Sequence, residues 1–433
     1  MFQKKYVGWV LMIVVSVSPL IPWFFALQPI SLRFANTYAT FTAIGEILGL
    51  VGIAMFSLNL VLSARLQLFE NYFGGMNRVY VAHHLFGGVS FLLLLAHPLA
   101  LASAYIPISL KSAALYLLPG NDWSINVGIV SLLCMMTLLL LTFFITLPYE
   151  FWRFTHKFLG GVFLLAAVHG FFVPSDLSRD ATLRNYMLII VSAGTVAYLY
   201  RTILGRFLVR RFEYTVTKVT SLTNDIYEIY LKPIKKPVRY YPGQFVFISF
   251  QDSWVRAEVH PFSISSLPTD SLLMITAKVE GDYTKTLQTI KQYDTALLEG
   301  AYGRFWHPYV EKKQQVWIAG GIGITPFVGM ARSLSQLDCM IDLYYSVRTA
   351  EEAVYKELFV QIAKENKNFR FIPWYTKTQG RLSVENMTAT SGDLHEKDIF
   401  LCGPPLMMKS LKGQLKKIKI SSRKIHSEEF QML

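Results

Sequence analysis

The chain begins with long apolar stretches and, about half-way along, changes to short alternating runs. Between Lys5 and Arg33 no charged residue occurs, and such a run exceeds the roughly 20 residues a helix needs to cross a bilayer. It lacks a short apolar region closed by a small-residue cleavage site, so it reads as an uncleaved first transmembrane helix rather than a signal peptide. Similar stretches follow at Ala39–Ala64 (interrupted by Glu46), Val79–Ser103, Trp123–Leu147, Phe158–Val173 and Asn185–Tyr200. The last two are short, but Arg153, Lys157 and Arg201 can snorkel and let those helices extend. The pattern predicts a six-helix transmembrane bundle over residues 1–211.

After Arg211 the texture changes. FEYTVTKV, IYEIYL, QFVFISF, HPFSIS, LLMITAKV and TALLEG are β-rich runs separated by Pro, Gly and Asp, which predicts a six-stranded antiparallel β-barrel over residues 212–312. Beyond it, VWIA, IDLYYSV, FRFIPWY and DIFLCG alternate with the helix-like FVGMARSLSQL, EEAVYKELFVQIAKE and PLMMKSLKGQLKK. That alternation predicts an α/β domain with a parallel sheet over residues 313–433.

Composition agrees with this division. The 433 residues leave room for roughly three domains. Only 16% are charged and 52% are apolar, against about 25% charged in soluble proteins, which excludes disorder and an ordinary soluble enzyme. The net charge of +13 does not point to nucleic acid, because the cations lie beside apolar runs and no recognition motif occurs. With a cytoplasmic N-terminus, Lys4, Lys5, Arg65, Arg78, Arg153, Lys157, Arg201, Arg206, Arg210 and Arg211 fall inside. Arg33, Lys111, Arg179 and Arg184 fall outside, the imbalance expected when the soluble half is cytoplasmic too. The cysteines Cys134, Cys339 and Cys402 form no C-x-x-C, so neither a disulfide framework nor a four-cysteine zinc or iron–sulfur site is available.

Histidine in a transmembrane helix is costly and by default functional. The third helix reads HHLFGGVSFLLLLAH (His83 to His97) and the fifth HKFLGGVFLLAAVH (His156 to His169); each opens with His, has Gly four residues on (Gly87, Gly160) and closes with His. The rise along each helix sets its two imidazoles about 20 Å apart within a core about 30 Å thick. Two stacked sites result, each taking one imidazole from each helix. Neutral imidazole is a good axial ligand for haem iron, so two b-type haems with two histidines each are expected. An interval of 14 residues nearly returns to one helical face, whereas the fifth helix's 13 miss it by about 140°. Either that helix is irregular near Gly160 and Gly161 or the haems are rotated relative to one another. His84 aligns with Lys157 and reads as a non-ligand. Phe91 and Phe163, midway, read as packing residues that could also aid electron passage. For Glu46 a proton or acceptor role competes with a buried hydrogen-bonded carboxyl.

In the soluble half, YPGQF (Tyr241 to Phe245, including Gln244) precedes HPFSISS, a strand presenting His260, Pro261, Phe262 and Ser263. An imidazole can meet a phosphate, an aromatic ring can lie on a flavin, and a small hydroxyl can approach the flavin nitrogen that exchanges hydride. KVEGDYTKTL adds Lys278, Gly281, Asp282, Tyr283 and Thr284, with backbone amides suited to a flavin pyrophosphate. Barrel packing and a polar turn are the plainer alternatives. VWIA runs into GGIGITP, where Gly320, Gly321 and Gly323 let amides approach a dinucleotide pyrophosphate and Thr325 and Pro326 begin a helix. Arg348 and Arg381 can pair a ribose 2′-phosphate, with solvated surface arginine as the alternative. CGPP (Cys402, Gly403, Pro404) ends a further strand and would bring Cys402 toward a nicotinamide, with packing of a small residue as the alternative.

These residues resemble those of the ferric reductase and NADPH oxidase family over nearly the whole chain, most closely its compact bacterial NADPH oxidase homologues. The paired histidines, HPFSISS, GDYTK, GGIGITP, CGPP and the terminal HSEEFQML stand in the family's order, and the soluble half resembles the ferredoxin-NADP reductase superfamily. The resemblance implies His83 with His156 on an inner haem and His97 with His169 on an outer one. It also implies FAD held by His260, Phe262 and Ser263, with Phe430 stacked on the isoalloxazine until nicotinamide displaces it. Ser263, Cys402 and Phe430 would then flank the reacting atoms. The family often has Pro in the turn here read EGAYG, so Ala301 departs from it, while Gly300 and Gly303 remain. No calcium-binding loop occurs. Nicotinamide gives two electrons as hydride and haem iron takes them singly, so each cofactor is needed. Given the short connection from Arg201 to Arg211, FAD is expected beneath the inner haem.

The expected activity is a transmembrane NAD(P)H oxidase reducing O₂ to superoxide in a bacterial plasma membrane, without an obligatory protein partner. A ferric-chelate reductase, and a membrane redox sensor or assembly module with little turnover, are the alternatives.

Overall fold

A computed structural model of the chain describes residues 6–26, 29–251, 258–305, 313–334 and 339–428. They form two units, which divide between Val209 and Arg210. Among the described residues of the first, six helices are long and apolar enough to cross a membrane. These are Val7–Phe24, Thr37–Ser63, Met76–Ser103, Trp123–Phe143, Tyr149–Phe172 and Ala181–Ile203, the first to sixth spans. The fifth and sixth take in Arg153, Lys157 and Arg201, as snorkelling cations allow.

Three spans are irregular, the sixth because it ends in a π-helical turn over Leu199–Ile203. The first is interrupted between Val7–Val17 and Leu20–Phe24, at Ser18–Pro19. The fifth is interrupted at Phe158, between Tyr149–Lys157 and Leu159–Phe172. There the Phe158 N–H donates to the Thr155 carbonyl (3.0 Å). A turn closed over three residues advances about 120° per residue instead of 100°, so the two halves of this span change phase. One of the two alternatives that the 13-residue interval leaves, an irregular helix, thus has a place just before Gly160, although such a turn adds only about 60° against the roughly 140° missed.

Lipid gives no hydrophobic push between helices, so close approach through small residues and interhelical hydrogen bonds hold them together. Ser57 of the second span donates to the Ile190 carbonyl of the sixth (2.5 Å) and accepts from the Gly194 N–H (3.1 Å). Ser90 of the third donates to the Gly52 carbonyl (2.9 Å), and Ser131 of the fourth to the Val162 carbonyl of the fifth (3.0 Å).

The second unit opens with β1 (Phe212–Ser221), β2 (Ile226–Pro233), β3 (Phe245–Phe250), β4 (His260–Ser263), β5 (Leu273–Lys278) and β6 (Thr295–Tyr302). All pairings are antiparallel, in the order β4-β3-β6-β1-β2-β5. A bridge between Ile264 and Ile275 nearly closes the barrel over a core that includes Ile229, Val246, Ile248 and Ile275.

A parallel sheet follows: β7 (Gln314–Gly320), β8 (Met340–Val347), β9 (Phe369–Tyr375), β10 (Asp398–Cys402) and β11 (Ile425–Glu428), in the order β11-β10-β7-β8-β9. Burial of β7, β8 and β10 on both faces accounts for their unbroken apolar runs. The sequence pattern shows four of these strands. The fifth, β11, is the short polar IHSE, and pairing along β10 from Ile399–Ile425 to Cys402–Glu428 makes it a strand. The helix Val384–Ser391 escapes the pattern for the same reason, since VENMTATS has few apolar residues.

A side chain at Gly194 would put its Cβ 2.4 Å from Ser57 Oγ and 2.8 Å from Ser57 Cα. Gly194→Leu should therefore cost about 1–3 kcal/mol, read as a lower Tm of the detergent-solubilised protein. An unchanged Tm would refute this packing.

Candidate functional site

The first unit brings together the two histidine pairs that the sequence predicts. The His83 and His156 rings lie 6.2 Å apart between centroids, and the His97 and His169 rings 6.3 Å. His84 stands 6.0 Å from His83, beside the pair. His97 Nδ1 is 2.7 Å from the Gly45 carbonyl, His169 Nδ1 is 2.8 Å from the Ser124 carbonyl and His83 Nδ1 is 3.2 Å from the Asn59 carbonyl. A carbonyl only accepts, so in each case Nδ1 carries the proton and Nε2 keeps its lone pair, the tautomer a metal ligand needs. His156 differs: its Nδ1 is buried without a partner, and its ring stacks on Trp152 at 5.2 Å.

Rings 6.2 and 6.3 Å apart leave room for one metal ion bonded at about 2.0 Å to a nitrogen of each. Among the described residues no cluster of three or more His, Cys, Asp or Glu is suited to a metal. Two imidazoles per site therefore fit a group that brings its remaining ligands with it, as a porphyrin does.

Both His97 and His169 border a pocket also lined by Trp23, Glu46, Gly49 and Asp176. Glu46 accepts from Trp23 Nε1 (3.0 Å) and faces Arg33 Nη1 at 3.5 Å. Arg33, whose side chain is 2% exposed, also pairs with Asp176 and lies 4.2 Å over the Trp23 ring. Glu46 is thus a hydrogen-bonded carboxyl within a charge cluster. Spacing alone gives no signal for Asp176, nor for Gly49 and Gly128, whose missing side chains face His97 and His169.

In the second unit, β3 pairs Phe245 with Ser263, Val246 with Phe262, Phe247 with Pro261 and Ile248 with His260. Ser263 is buried and its Oγ has no partner, which fits a hydroxyl awaiting a ligand atom. His260 Nε2 lies 2.8 Å from Glu258 Oε2, and its ring stacks on Tyr283 at 3.8 Å. That stack joins β4 to the GDYTK turn, so the two segments read as flavin-binding meet. Burial and then the Glu258 carboxylate push the Tyr283 phenol above its usual range, keeping it a neutral donor. Within the turn, Thr284 Oγ1 accepts from the Glu280 and Gly281 amides (2.8 and 2.9 Å). Lys278 pairs with Glu280 and the exposed Asp282 with Lys285. Gln244 bridges the Tyr241 N–H and the Gly303 carbonyl, each at 2.9 Å. Tyr241 itself is exposed.

The parallel sheet runs outward from β7 through β8 to β9, then returns to β10 on the other side of β7. Its switch point is therefore at the carboxyl ends of β7 and β10, where open α/β sheets bind ligands. The two predicted nucleotide loops meet there. A Cβ on Gly323 would lie 2.5 Å from the Cys402 carbonyl, and one on Gly403 3.0 Å from Gly320 Cα. Gly321 has φ +51, and Pro326 stands in the first turn of the helix Thr325–Arg332. Pro404 precedes the helix Pro405–Lys417. Cys402 is buried in the sheet core. Arg348 is exposed, with its Nε 2.8 Å from Glu352 Oε1, and Arg381 is exposed as well. Phe430 lies outside the described residues.

Three domain profiles match the chain: ferric reductase like transmembrane component at residues 48–167, FAD-binding domain at 211–315 and oxidoreductase NAD-binding domain at 317–413. Together these three domains make up the architecture of the ferric reductase / NADPH oxidase family. Among curated relatives it is similar to the phenol hydroxylase P5 protein of Acinetobacter pittii, with 27% identity over 242 residues, 52% of this chain and 66% of that protein. It is also similar to the anthranilate 1,2-dioxygenase electron transfer component of Acinetobacter baylyi, with 26% identity over 50% of this chain and 65% of that protein. The chain thus spans just under two thirds of the length of these relatives. A flavohemoglobin structure from Malassezia yamatoensis with bound FAD and heme shares the fold. The TM-score is 0.50 at 19% identity, over 90% of this chain and 97% of that one. The chain thus carries an FAD-binding domain and an oxidoreductase NAD-binding domain beside a ferric reductase like transmembrane component.

Gly243 in YPGQF has φ +85, and a Cβ there would lie 1.9 Å from the Phe305 carbonyl. The strain alone is worth about 1–3 kcal/mol. Gly243→Ala should lower the flavin retained per chain several-fold after gel filtration, whereas Gly413→Ala, with nothing within 4 Å, should not. Full flavin retention in Gly243→Ala would refute the constraint.

Proposed function

We propose that this protein is a transmembrane NAD(P)H oxidase that passes electrons from NAD(P)H through FAD and two bis-histidine haems to O₂ across the membrane, producing superoxide. The observation that carries this reading is the pair of imidazole sites within one apolar bundle, on a chain that also holds flavin and nicotinamide domains. When bound, FAD exchanges electrons in ones or twos and the haems take them singly.

His83 and His156 would hold one iron, His97 and His169 the other. With two histidines at each site, the iron they would hold would supply electrons to O₂ without binding it. Ser263 would donate its hydroxyl to the flavin, and Phe262 would lie on the ring. His260, steadied by Glu258 and Tyr283, would meet a flavin phosphate near the Gly281–Thr284 turn. The glycines at the switch point leave the dinucleotide pyrophosphate a surface of backbone amides. Cys402 would approach the nicotinamide, Phe430 would lie on the isoalloxazine until nicotinamide displaces it, and Arg348 and Arg381 would receive a 2′-phosphate. The excess of cations in one set of loops supports a cytoplasmic N-terminus and soluble half.

Purified protein supplied with FAD and NADPH should reduce cytochrome c in a reaction that superoxide dismutase suppresses. Strong ferric-chelate reduction without that signal would overturn the oxidase reading in favour of a ferric reductase, and negligible NADPH consumption would favour a sensor. Ser263→Ala should keep its flavin but slow flavin reduction in stopped flow by roughly tenfold, the worth of one hydrogen bond; an unchanged rate would refute its role. His97→Ala should lose one of two haems while NADPH still reduces flavin. Retention of both haems would overturn the ligand assignment.

A further inference from the structure

The two imidazole pairs are not seated alike. In a helix each carbonyl receives the N–H four residues on and keeps a second lone pair. His97 takes the second lone pair of Gly45 and His169 that of Ser124. Four residues after these carbonyls stand Gly49 and Gly128. A Cβ on Gly49 would lie 2.9 Å from His97 Nδ1 and 3.1 Å from its Cε1; one on Gly128 would lie 2.6 and 2.8 Å from the same atoms of His169. Either ring reaches its carbonyl only because the residue one turn on has no side chain. The arrangement occurs on two different helices, for rings that come from two others.

The other pair lacks it. His83 reaches the Asn59 carbonyl at 3.2 Å, with Ser63 four residues on, and His156 Nδ1 has no partner. Other glycines of this bundle also crowd a neighbour, as Gly45 does Leu101, Gly52 Leu94 and Gly160 Tyr198, but only Gly49 and Gly128 face a histidine ring among the described residues. Gly88 and Gly161, on the histidine-bearing spans themselves, have nothing within 4 Å of an added Cβ.

We infer that Gly49 and Gly128 are positioning residues specific to the His97–His169 site, each opening a helix surface so that one imidazole can donate Nδ1–H to the carbonyl a turn before it. This rests on the reading of the histidines as haem ligands and deepens it. The Nδ1–H bond fixes the ring and raises the basicity of Nε2, and losing such a partner typically weakens metal binding by about 10–100-fold. A less basic ligand also stabilises oxidised iron less, so the midpoint potential at that site rises.

The test is a reductive titration of reduced-minus-oxidised spectra in isolated membranes, normalised to the NADPH-dependent flavin activity of the soluble half. It compares wild type with Gly49→Ala, Gly128→Ala, Gly88→Ala and Gly161→Ala. Each of the first two variants should lose one of two haem components, or show it titrating at a higher potential, with the other component in place; the last two should match wild type. Wild-type titrations in Gly49→Ala and Gly128→Ala, or equal disturbance of both components, would overturn the inference and leave the haem reading standing. The same disturbance in Gly88→Ala or Gly161→Ala would also overturn it. Wild-type membranes without a bis-histidine haem spectrum would overturn the functional reading beneath it.

Discussion

An imidazole placed in hydrocarbon must have both its nitrogens accounted for, because no water is there to do it. In this bundle three of the four paired histidines satisfy Nδ1 with a carbonyl of a neighbouring helix, and that demand organises much else. It sets which faces of the second and fourth spans meet the third and fifth, and it requires those faces to be bare where the rings press. It also selects the tautomer that leaves Nε2 available. The serine crosslinks at Ser57, Ser90 and Ser131 hold the helix spacing within which such short contacts persist.

Periodicity served well wherever burial was uniform. Long apolar runs marked the six spans, and the runs of β7, β8 and β10 marked a sheet covered on both faces. It missed β11 and the helix Val384–Ser391, which are held by pairing and packing rather than by an apolar pattern of their own. The histidines themselves could be read from the chain, because a polar residue in an apolar run stands out. Their partners could not. Gly45, Gly49, Ser124 and Gly128 look like ordinary small residues of apolar helices, and only the fold shows that two of them oppose a ring. The 13-residue interval left open an irregular helix or rotated sites, and nothing in WRFTHKFLGG marked Phe158 as a break.

In the soluble half, chain order and spatial order diverge at one point, and the chemistry gathers there. Because the sheet grows away from β7 in both directions, the loops after β7 and β10 become neighbours although about eighty residues separate them. Glycine at positions 320, 323 and 403 lets the two backbones touch. Elsewhere in this unit, barrel and sheet are linked by polar groups. Tyr355 donates to the buried Glu228 at 2.6 Å and lies 2.5 Å from Thr276 Oγ1, while Arg332 pairs with Asp270 at 2.8 Å. A hydride acceptor and its donor must be held within contact distance, and links of this kind restrain the two sheets that would carry them.

The duplicated motif, His and Gly four residues apart and a second His at the far end, suggests two equivalent sites. Its neighbours break that equivalence. At one end both imidazoles are anchored to carbonyls, and Glu46 and Asp176, both paired with the buried Arg33, line the adjoining pocket. At the other, one anchoring contact is longer and one Nδ1 has none, its ring lying instead against Trp152. Hydrogen bonding of the distal nitrogen governs how strongly an imidazole donates to iron, and buried charge shifts the same balance. Two irons held in these surroundings would have unequal affinities for an electron. Such a difference would favour transfer in one direction, and it would come from the helices that flank the ligands, not from the ligands the repeat displays.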